Sequence, residues 1–182
     1  MQVSGTQNIT YVQNGPPPPS RRDGFAALAN DQYATAFTVF GALITQQPGD
    51  AELRLGLALT MLQGRHPCRC DVRTLKLVDT HLRAARTMGP RHPGPSLALL
   101  LLRDAEMFRW DAHRRRPTQK DLRLLQRVRS DTAALLVKHI PARESVLWQE
   151  LAQVAEAGTP GPRPATAPAR RSPKPSRKRN RP

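Results

Sequence analysis

The stretch NDQYATAFTVFGALITQQPGDAE, residues 30–52, decides the fold of this chain. Between Tyr33 and Ile44 its apolar side chains recur at spacings of three and four residues, which is the period of one face of an α-helix. Pro48 and Gly49 interrupt this helix, and Asp50 is a favourable N-cap for the next one. The stretch therefore predicts a helix, a short turn and the start of a second helix.

The rest of the chain extends the same pattern. Gly, Pro and polar breaks separate about seven helical segments, near 24–30, 32–46, 51–63, 73–88, 96–110, 119–139 and 141–157. Hydrophobic residues make up 38% of the 182 residues but aromatic residues only 4%, which favours helices packed through Leu and Ala over a β-sandwich or barrel. The predicted fold is all-α, with antiparallel helix hairpins stacked side by side.

One spacing of residues recurs along the chain. Ala36, Phe40, Leu43 and Pro48 are separated by four, three and five residues. The same separations recur at Val78, Leu82, Ala85 and Pro90, and again at Arg129, Ala133, Leu136 and Pro141. A small residue lets two helices approach, a larger one fills the gap a turn later, and proline ends the unit. The pattern predicts a repeated hairpin; its alternative is an ordinary helical bundle in which the spacing arises by chance.

The stretch 30–52 resembles the second helix of a tetratricopeptide repeat, and LALTM at 57–61 matches the first helix of the next. The resemblance covers about residues 21–157, but the prolines recur after 42 and 51 residues instead of about 34, so it requires insertions near 65–72 and 111–120. It implies a short solenoid of degenerate repeats. The residues expected to pack between its helices are Tyr33, Ala36, Phe40, Pro48, Leu57, Ala58, Met61, Val78, Leu82, Ala85 and Pro90.

The resemblance also implies a partner-binding groove lined by the first helix of each pair. In AELRLGLALTMLQG, residues 51–64, the stripe Leu55, Leu59 and Leu62 is expected to face this groove. An apolar groove suits an amphipathic helix or an extended peptide. The alternative is that neighbouring helices cover these leucines. The predicted function is a non-catalytic adaptor or scaffold that binds another protein.

The two ends of the chain differ from its middle, so we divide it into residues 1–20, 21–157 and 158–182. Residues 1–20 carry no charge, and MQVSGTQNITYVQNG alternates so that Val3, Ile9 and Tyr11 share one side of an extended strand. This segment resembles the short Gly/Asn/Gln-rich motifs with which bacterial signalling proteins associate by β-stacking. A stiff Pro16–Pro19 hinge follows it. The alternative is a disordered tether.

Residues 158–182 hold eight of the fifteen net positive charges and no acidic residue, and seven of these 25 residues are proline. This composition predicts a disordered basic tail. Such a tail can bind nucleic acid or another polyanion without sequence preference. The basic surface would be extended by Arg114, Arg115, Arg116, Lys120, Arg123 and Arg127. The alternative is codon bias, because Arg outnumbers Lys by 24 to 5. The polyanion-binding residues expected in the tail are Arg170, Arg171, Lys174, Arg177, Lys178 and Arg179.

Catalytic and cofactor motifs are not found in the sequence: there is no glycine-rich phosphate loop and no nucleophile motif. His66, Cys68, Cys70 and His81 are metal-ligand types, but the Cys-x-Cys spacing differs from the usual structural zinc pairs, so we predict reduced thiols and no metal. The sequence has neither a membrane-spanning apolar run nor a secretory leader pattern, and we therefore expect a cytoplasmic protein.

Overall fold

The computed structural model describes residues 18–110 and 116–158, with the side chains of residues 108–110 left out. These two ranges contain helices and no strand, which confirms the all-α prediction. The predicted β segment at Val3, Ile9 and Tyr11 and the basic tail lie outside the described residues. The helices are α1 (Arg21–Ala29), α2 (Tyr33–Gln46), α3 (Ala51–Leu62), α4 (Val72–Met88), α5 (Pro93–Trp110), α6 (Gln119–Leu125), α7 (Ser130–His139) and α8 (Val146–Ala157), with a 3-10 turn at Pro67–Arg69.

Short polar side chains fix where several helices begin. The Ser20 hydroxyl and the Asp23 carboxylate form a capping box at the start of α1, and Thr118 and Asp121 form another at α6. Asp50 accepts hydrogen bonds from the backbone amides of Glu52 and Leu53 at the start of α3. These caps satisfy N–H groups that have no partner within the helix.

Two predicted helix boundaries were wrong. The single helix expected at 119–139 is divided into α6 and α7, because Arg129 adopts an extended conformation with φ −78° and ψ 148°. This break lets Val128 on one side and Ala133 on the other both reach the core. The last helix begins at Val146 instead of Pro141. Its N-cap is Ser145, whose hydroxyl accepts a hydrogen bond from the Trp148 amide.

Consecutive helices pack against each other from α1 to α6, and α7 packs against α8. Most of the residues expected between helices lie in the core: Ala36, Phe40, Ala58, Val78, Leu82 and Ala85 are fully buried and Leu57 is nearly so. Tyr33 and Met61 are half-buried, while Pro48 and Pro90 are exposed in the turns after α2 and α4. Any packed helix hairpin requires this arrangement, so the tetratricopeptide resemblance stays a hypothesis.

The Phe40 ring fixes the first hairpin against α3. A Cβ atom built on Gly24 in α1 would lie 2.8 Å from Phe40 Cε1, and one built on Gly56 in α3 would lie 2.5 Å from Phe40 Cζ. Phe25 meets the same ring edge-on, with 5.0 Å between ring centroids. The ring therefore occupies a slot that exists only because both neighbouring helices have glycine there.

The groove expected along α3 is closed. Leu55, Leu59 and Leu62 are 3%, 0% and 0% exposed, so no partner can contact them in this structure. The start of α5 covers Leu55, since a Cβ on Gly94 would lie 2.9 Å from its Cδ2 atom. The C-terminal half of the fold returns to α3 as well, because α3 contacts both α5 and α7. The neighbouring helices thus cover the leucine stripe, as the alternative interpretation held.

Candidate partner-binding surface

Helix α2 contains no charged residue over its 14 positions. One face buries Ala36, Phe40 and Leu43 against α1 and α3. The solvent-facing side, which we call the α2 face, consists of the exposed residues Ala34, Thr35, Phe37, Thr38, Ala42 and Thr45 and of Gly41, which is half-buried. A surface helix normally has charged residues on its solvent side, so an uncharged face of this length indicates a contact surface.

Two hydroxyl groups on the α2 face, those of Thr38 and Thr45, are already engaged. Thr38 Oγ1 donates to the Ala34 carbonyl oxygen at 3.1 Å, and Thr45 Oγ1 donates to the Gly41 carbonyl oxygen at 3.1 Å. Such bonds to the preceding turn satisfy the hydroxyl within the helix. The face therefore behaves as a more apolar surface at Thr38 and Thr45 than these residue types suggest.

Gly41 packs against no side chain among the residues that the structure describes. A Cβ atom placed on it would meet nothing within 4 Å, in contrast to Gly24 and Gly56, which contact Phe40. Glycine inside a helix costs about 1 kcal/mol relative to alanine. Within residues 18–110 and 116–158 no contact offsets that cost, whereas another helix approaching the α2 face would benefit from the missing side chain.

A pocket of about 490 Å³ opens beside the α2 face. Half of the Phe37 side chain is exposed at its edge. We call it the Tyr33 pocket; its lining residues are Tyr33, Ala34, Phe37, Thr38, Thr60, Met61, Gln63 and Thr74. The Thr60 hydroxyl within it is buried and donates to the Gly56 carbonyl oxygen at 2.8 Å. The pocket is open to solvent and joins α2, the end of α3 and the start of α4.

Tyr33 is held in place by the turn between α1 and α2 and by the end of α7. Its hydroxyl donates to Asp31 Oδ1 at 2.9 Å, and Lys138 Nζ lies 3.0 Å from the same oxygen. Hydrogen bonds from Lys138 and then Tyr33 lower the pKa of Asp31, while burial and the bond to Asp31 raise the pKa of Tyr33 to about 12. The Tyr33 wall of the pocket is therefore fixed with the help of Lys138, a residue 105 positions further along the chain.

His139 is buried behind Tyr33 at the end of α7. Its ring meets the Tyr33 ring edge-on at 5.8 Å, it is fully buried, and neither ring nitrogen has a hydrogen-bond partner. Burial, and then the neighbouring Lys138 charge, lower the pKa of His139 to about 4. The imidazole is neutral at physiological pH and acts as an apolar contact between α7 and the first hairpin.

Three of the residues considered as metal ligands, His66, Cys68 and Cys70, serve as loop contacts, whereas His81 lies on α4. His66 Nε2 lies 2.7 Å from Glu144 Oε1, and His66 Nδ1 accepts a hydrogen bond from the Cys68 amide. Cys68 Sγ donates to the Ala105 carbonyl oxygen, and burial raises the pKa of the Cys70 thiol. These contacts hold the loop after α3 against α5 and the start of α8. In residues 18–110 and 116–158 no group of three His, Cys, Asp or Glu side chains is arranged to hold a metal ion.

A second type of surface lies on α6. Lys120, Arg123 and Arg127 are exposed, and in the part of the chain that the structure describes none of them forms a salt bridge. Leu122 on the same helix is 42% exposed. The tail residues Arg170, Arg171, Lys174, Arg177, Lys178 and Arg179, expected to bind polyanions, lie outside the described residues.

Sequence reasoning assigned a partner groove to Leu55, Leu59 and Leu62, which the structure buries in the core. It did not single out Phe37, Thr38 or Gly41 as surface residues. The signal for the α2 face was present as a 14-residue helix with no charge, but the sequence analysis used this helix only for its packing residues Tyr33, Ala36 and Phe40. None of the helices described is both long and apolar enough to cross a membrane. Comparisons with protein families, curated proteins and solved structures find no match to this chain.

Proposed function

We propose that this protein is a non-catalytic binding module, a cytoplasmic adaptor that contacts a partner helix through the α2 face and the Tyr33 pocket. The observation that carries the proposal is Phe37, half of whose side chain stays exposed on an uncharged helix beside a 490 Å³ pocket. Aromatic residues next to a hollow are typical anchors of protein interfaces. The proposal keeps the adaptor function predicted from the sequence and moves its site from α3 to α2.

The surface favours a helix as the partner element. The exposed residues recur along α2 at spacings of three and four, so they form a ridge that fits between the ridges of another helix. The α2 face has no charged group to pair with a peptide terminus, and the hydroxyls of Thr38 and Thr45 are bonded to the helix itself. An amphipathic helix can bury its apolar side there without leaving polar groups unpaired.

Site-specific cross-linking tests this function. With a photoreactive phenylalanine analogue at position 37 of the full chain, we expect covalent adducts in cells of the native host, because this side chain lies at the proposed contact. The same analogue at Leu122 is the matched control, since Leu122 is also an exposed apolar residue but lies on α6. Adducts of equal yield at both positions, or adducts that survive Gly41→Gln, contradict the proposal.

Polyanion binding is a second candidate function, favoured by three exposed basic residues, Lys120 and Arg123 on α6 and Arg127 in the turn after it, and by the eight basic residues of 158–182. Lys and Arg side chains release counterions when they contact phosphates, and this gives sequence-independent binding. Such binding uses a different surface from the α2 face, so the two functions are compatible.

Deletion of residues 158–182 is expected to remove most salt-sensitive retention on heparin, because the deleted segment holds eight of the fifteen net charges. Helix content measured by circular dichroism should stay unchanged, since α8 ends at Ala157. Equal retention after the deletion assigns binding to Lys120, Arg123 and Arg127 instead. A full chain that elutes below physiological salt contradicts polyanion binding altogether.

A further inference from the structure

The net charge of the helical domain is concentrated in one part of the chain. Residues 21–157 have a formal net charge of +7, because residues 158–182 hold +8 of the total of +15. Residues 72–127 contain 13 basic and 5 acidic residues, a net charge of +8, whereas residues 21–62 and 128–157 each have a net charge of −1. The segment of α4, α5 and α6, which pack one against the next, therefore carries the positive charge of the domain.

Most of the acidic residues described in this segment leave its surface basic. Asp104 and Asp121 are 7% and 5% exposed. Asp79 on α4 is paired, since Arg83 Nε donates to its Oδ2 atom at 2.6 Å. Glu106 on α5 is exposed. Helix α4 therefore has four basic residues and a single acidic one, which is already engaged by one of them.

The basic residues of α4 lie mainly on its solvent side. The helix buries Val78, Leu82 and Ala85. On a helix with 3.6 residues per turn, the side opposite to these three is occupied by five exposed residues, which we call the α4 row. They are Arg73, Lys76, Thr80, Arg83 and Thr87. In the described part of the chain neither Arg73 nor Lys76 forms a salt bridge.

The geometry of the α4 row fits a regular array of negative charges. Its members follow each other at spacings of three and four residues, about 4.5 to 6 Å along the helix, and the row is about 21 Å long. One strand of a duplex carries a phosphate about every 3.4 Å of its axis, so a row of this length spans about six phosphates. The hydroxyls of Thr80 and Thr87 donate to carbonyl oxygens of the same helix. The charge of the row therefore comes from Arg73, Lys76 and Arg83.

Two other polyanions fit the α4 row less well. A lipid surface is bound through the apolar side of an amphipathic helix, and in α4 that side is buried in the core. Single-stranded nucleic acid is bound by aromatic side chains on which its bases stack, and α4 contains no Phe, Tyr or Trp. The backbone of a duplex needs neither feature, because it presents charge at a regular spacing on its outside.

We infer that the α4 row binds the phosphate backbone of a nucleic-acid duplex, with Arg73, Lys76 and Arg83 contacting phosphates of one strand. The inference rests on the second candidate function, polyanion binding, and assigns to it a site in the folded domain besides residues 158–182. Phosphate contacts orient a protein on a duplex but carry no sequence information. We therefore expect the affinity to be independent of base sequence.

Fluorescence anisotropy of short labelled DNA and RNA duplexes, titrated with the full chain over a range of salt concentrations, tests the inference. Arg73→Gln combined with Lys76→Gln removes two phosphate contacts. The slope of log affinity against log salt should become less steep by about 2, and the dissociation constant at low salt should rise at least about tenfold. The duplex that binds more tightly identifies the nucleic acid.

The matched control combines Arg22→Gln with Arg143→Gln, which removes the same charge from two exposed residues outside α4. This control separates contact at the α4 row from a change in the overall charge, and it should change the slope by much less. Glutamine has nearly the same helix propensity as arginine and lysine, so all these variants should stay folded. Circular dichroism checks their helix content.

A variant with the opposite effect gives an independent test. Asp79→Asn releases Arg83 from its carboxylate partner, so duplex affinity should increase about two- to fivefold. Its control is Asp131→Asn, which releases Arg129 from a similar exposed pair away from the α4 row and should change the affinity less. Partial unfolding would weaken binding, so a gain in affinity is not explained by a loss of structure.

Three results overturn the inference: equal losses in the Arg73/Lys76 variant and its control, an affinity that Asp79→Asn leaves unchanged, and an equal effect of the Arg73/Lys76 variant on binding of polyglutamate, which would assign the row to acidic protein chains. Failure of the second candidate function is distinguishable from these results. A full chain that binds no duplex refutes polyanion binding as a whole. Binding that is abolished by deletion of residues 158–182 but unaffected by the Arg73/Lys76 variant refutes the α4 row alone.

Discussion

Replacing Phe40 with alanine is expected to lower the free energy of unfolding by about 3 to 5 kcal/mol. The ring is fully buried between Gly24 and Gly56, and neither glycine has a side chain that could move into the vacated space. The cavity therefore stays open and its lining loses the contacts of the ring. Urea denaturation followed by circular dichroism measures the change.

Phe37→Ala is the matched control, because Phe37 is the same residue type on the same helix but is half-exposed, whereas Phe40 is fully buried. Phe37 is half-exposed, so its removal should cost less than about 1 kcal/mol in the monomer. Equal losses for the two variants would contradict the assignment of Phe40 as the packing centre of the first hairpin. The measurement is made at low protein concentration so that self-association does not contribute.

The same slot can be tested from the opposite wall. Gly56→Ala should destabilise by about 1 to 3 kcal/mol despite the better helix propensity of alanine, since its Cβ would lie 2.5 Å from the Phe40 ring. Gly41→Ala meets nothing within 4 Å and should stabilise by about 0.5 to 1 kcal/mol. Combining Gly56→Ala with Phe40→Leu should cost less than the sum of the two single changes, because the smaller side chain relieves the clash.

Lowering the pH is expected to destabilise the protein at pH values above those at which ordinary carboxyl groups take up protons. The pKa of His139 is about 4 in the folded protein and 6.5 in the unfolded chain. Between these values the unfolded state binds a proton that the folded state does not, so stability is fully present above pH 6.5 and falls as the pH decreases to 4. The loss should approach roughly 2 to 3 kcal/mol.

His139→Leu isolates this contribution. Leucine retains an apolar side chain against Tyr33 and removes the titrating group, so the stability of this variant should change less between pH 6.5 and pH 4. Burial also lowers the pKa of His81, which adds a loss of the same sign in both proteins. Thermal unfolding in a series of buffers measures both profiles. Parallel profiles for the wild type and the variant would show that His139 does not cause the acid sensitivity.

Local sequence signals determined the helices and most of their packing faces. Asp50 and Thr118 begin helices because their side chains satisfy free backbone amides, and this depends only on residues within three positions. The recurring spacing through Ala36, Phe40 and Leu43 identified a buried face, since three- and four-residue periods place residues on one side of a helix.

Only the tertiary structure decided which apolar faces stay open. Leu59 and Phe37 both belong to apolar stripes on helices, yet Leu59 is fully buried and Phe37 half-exposed. The difference arises because α5 and α7 return to α3, whereas the described structure leaves the outer side of α2 uncovered. The contact of Lys138 with Asp31 joins segments far apart in the chain. Periodicity defines the faces of each helix, but the helix that covers a face is selected by contacts between residues distant in sequence.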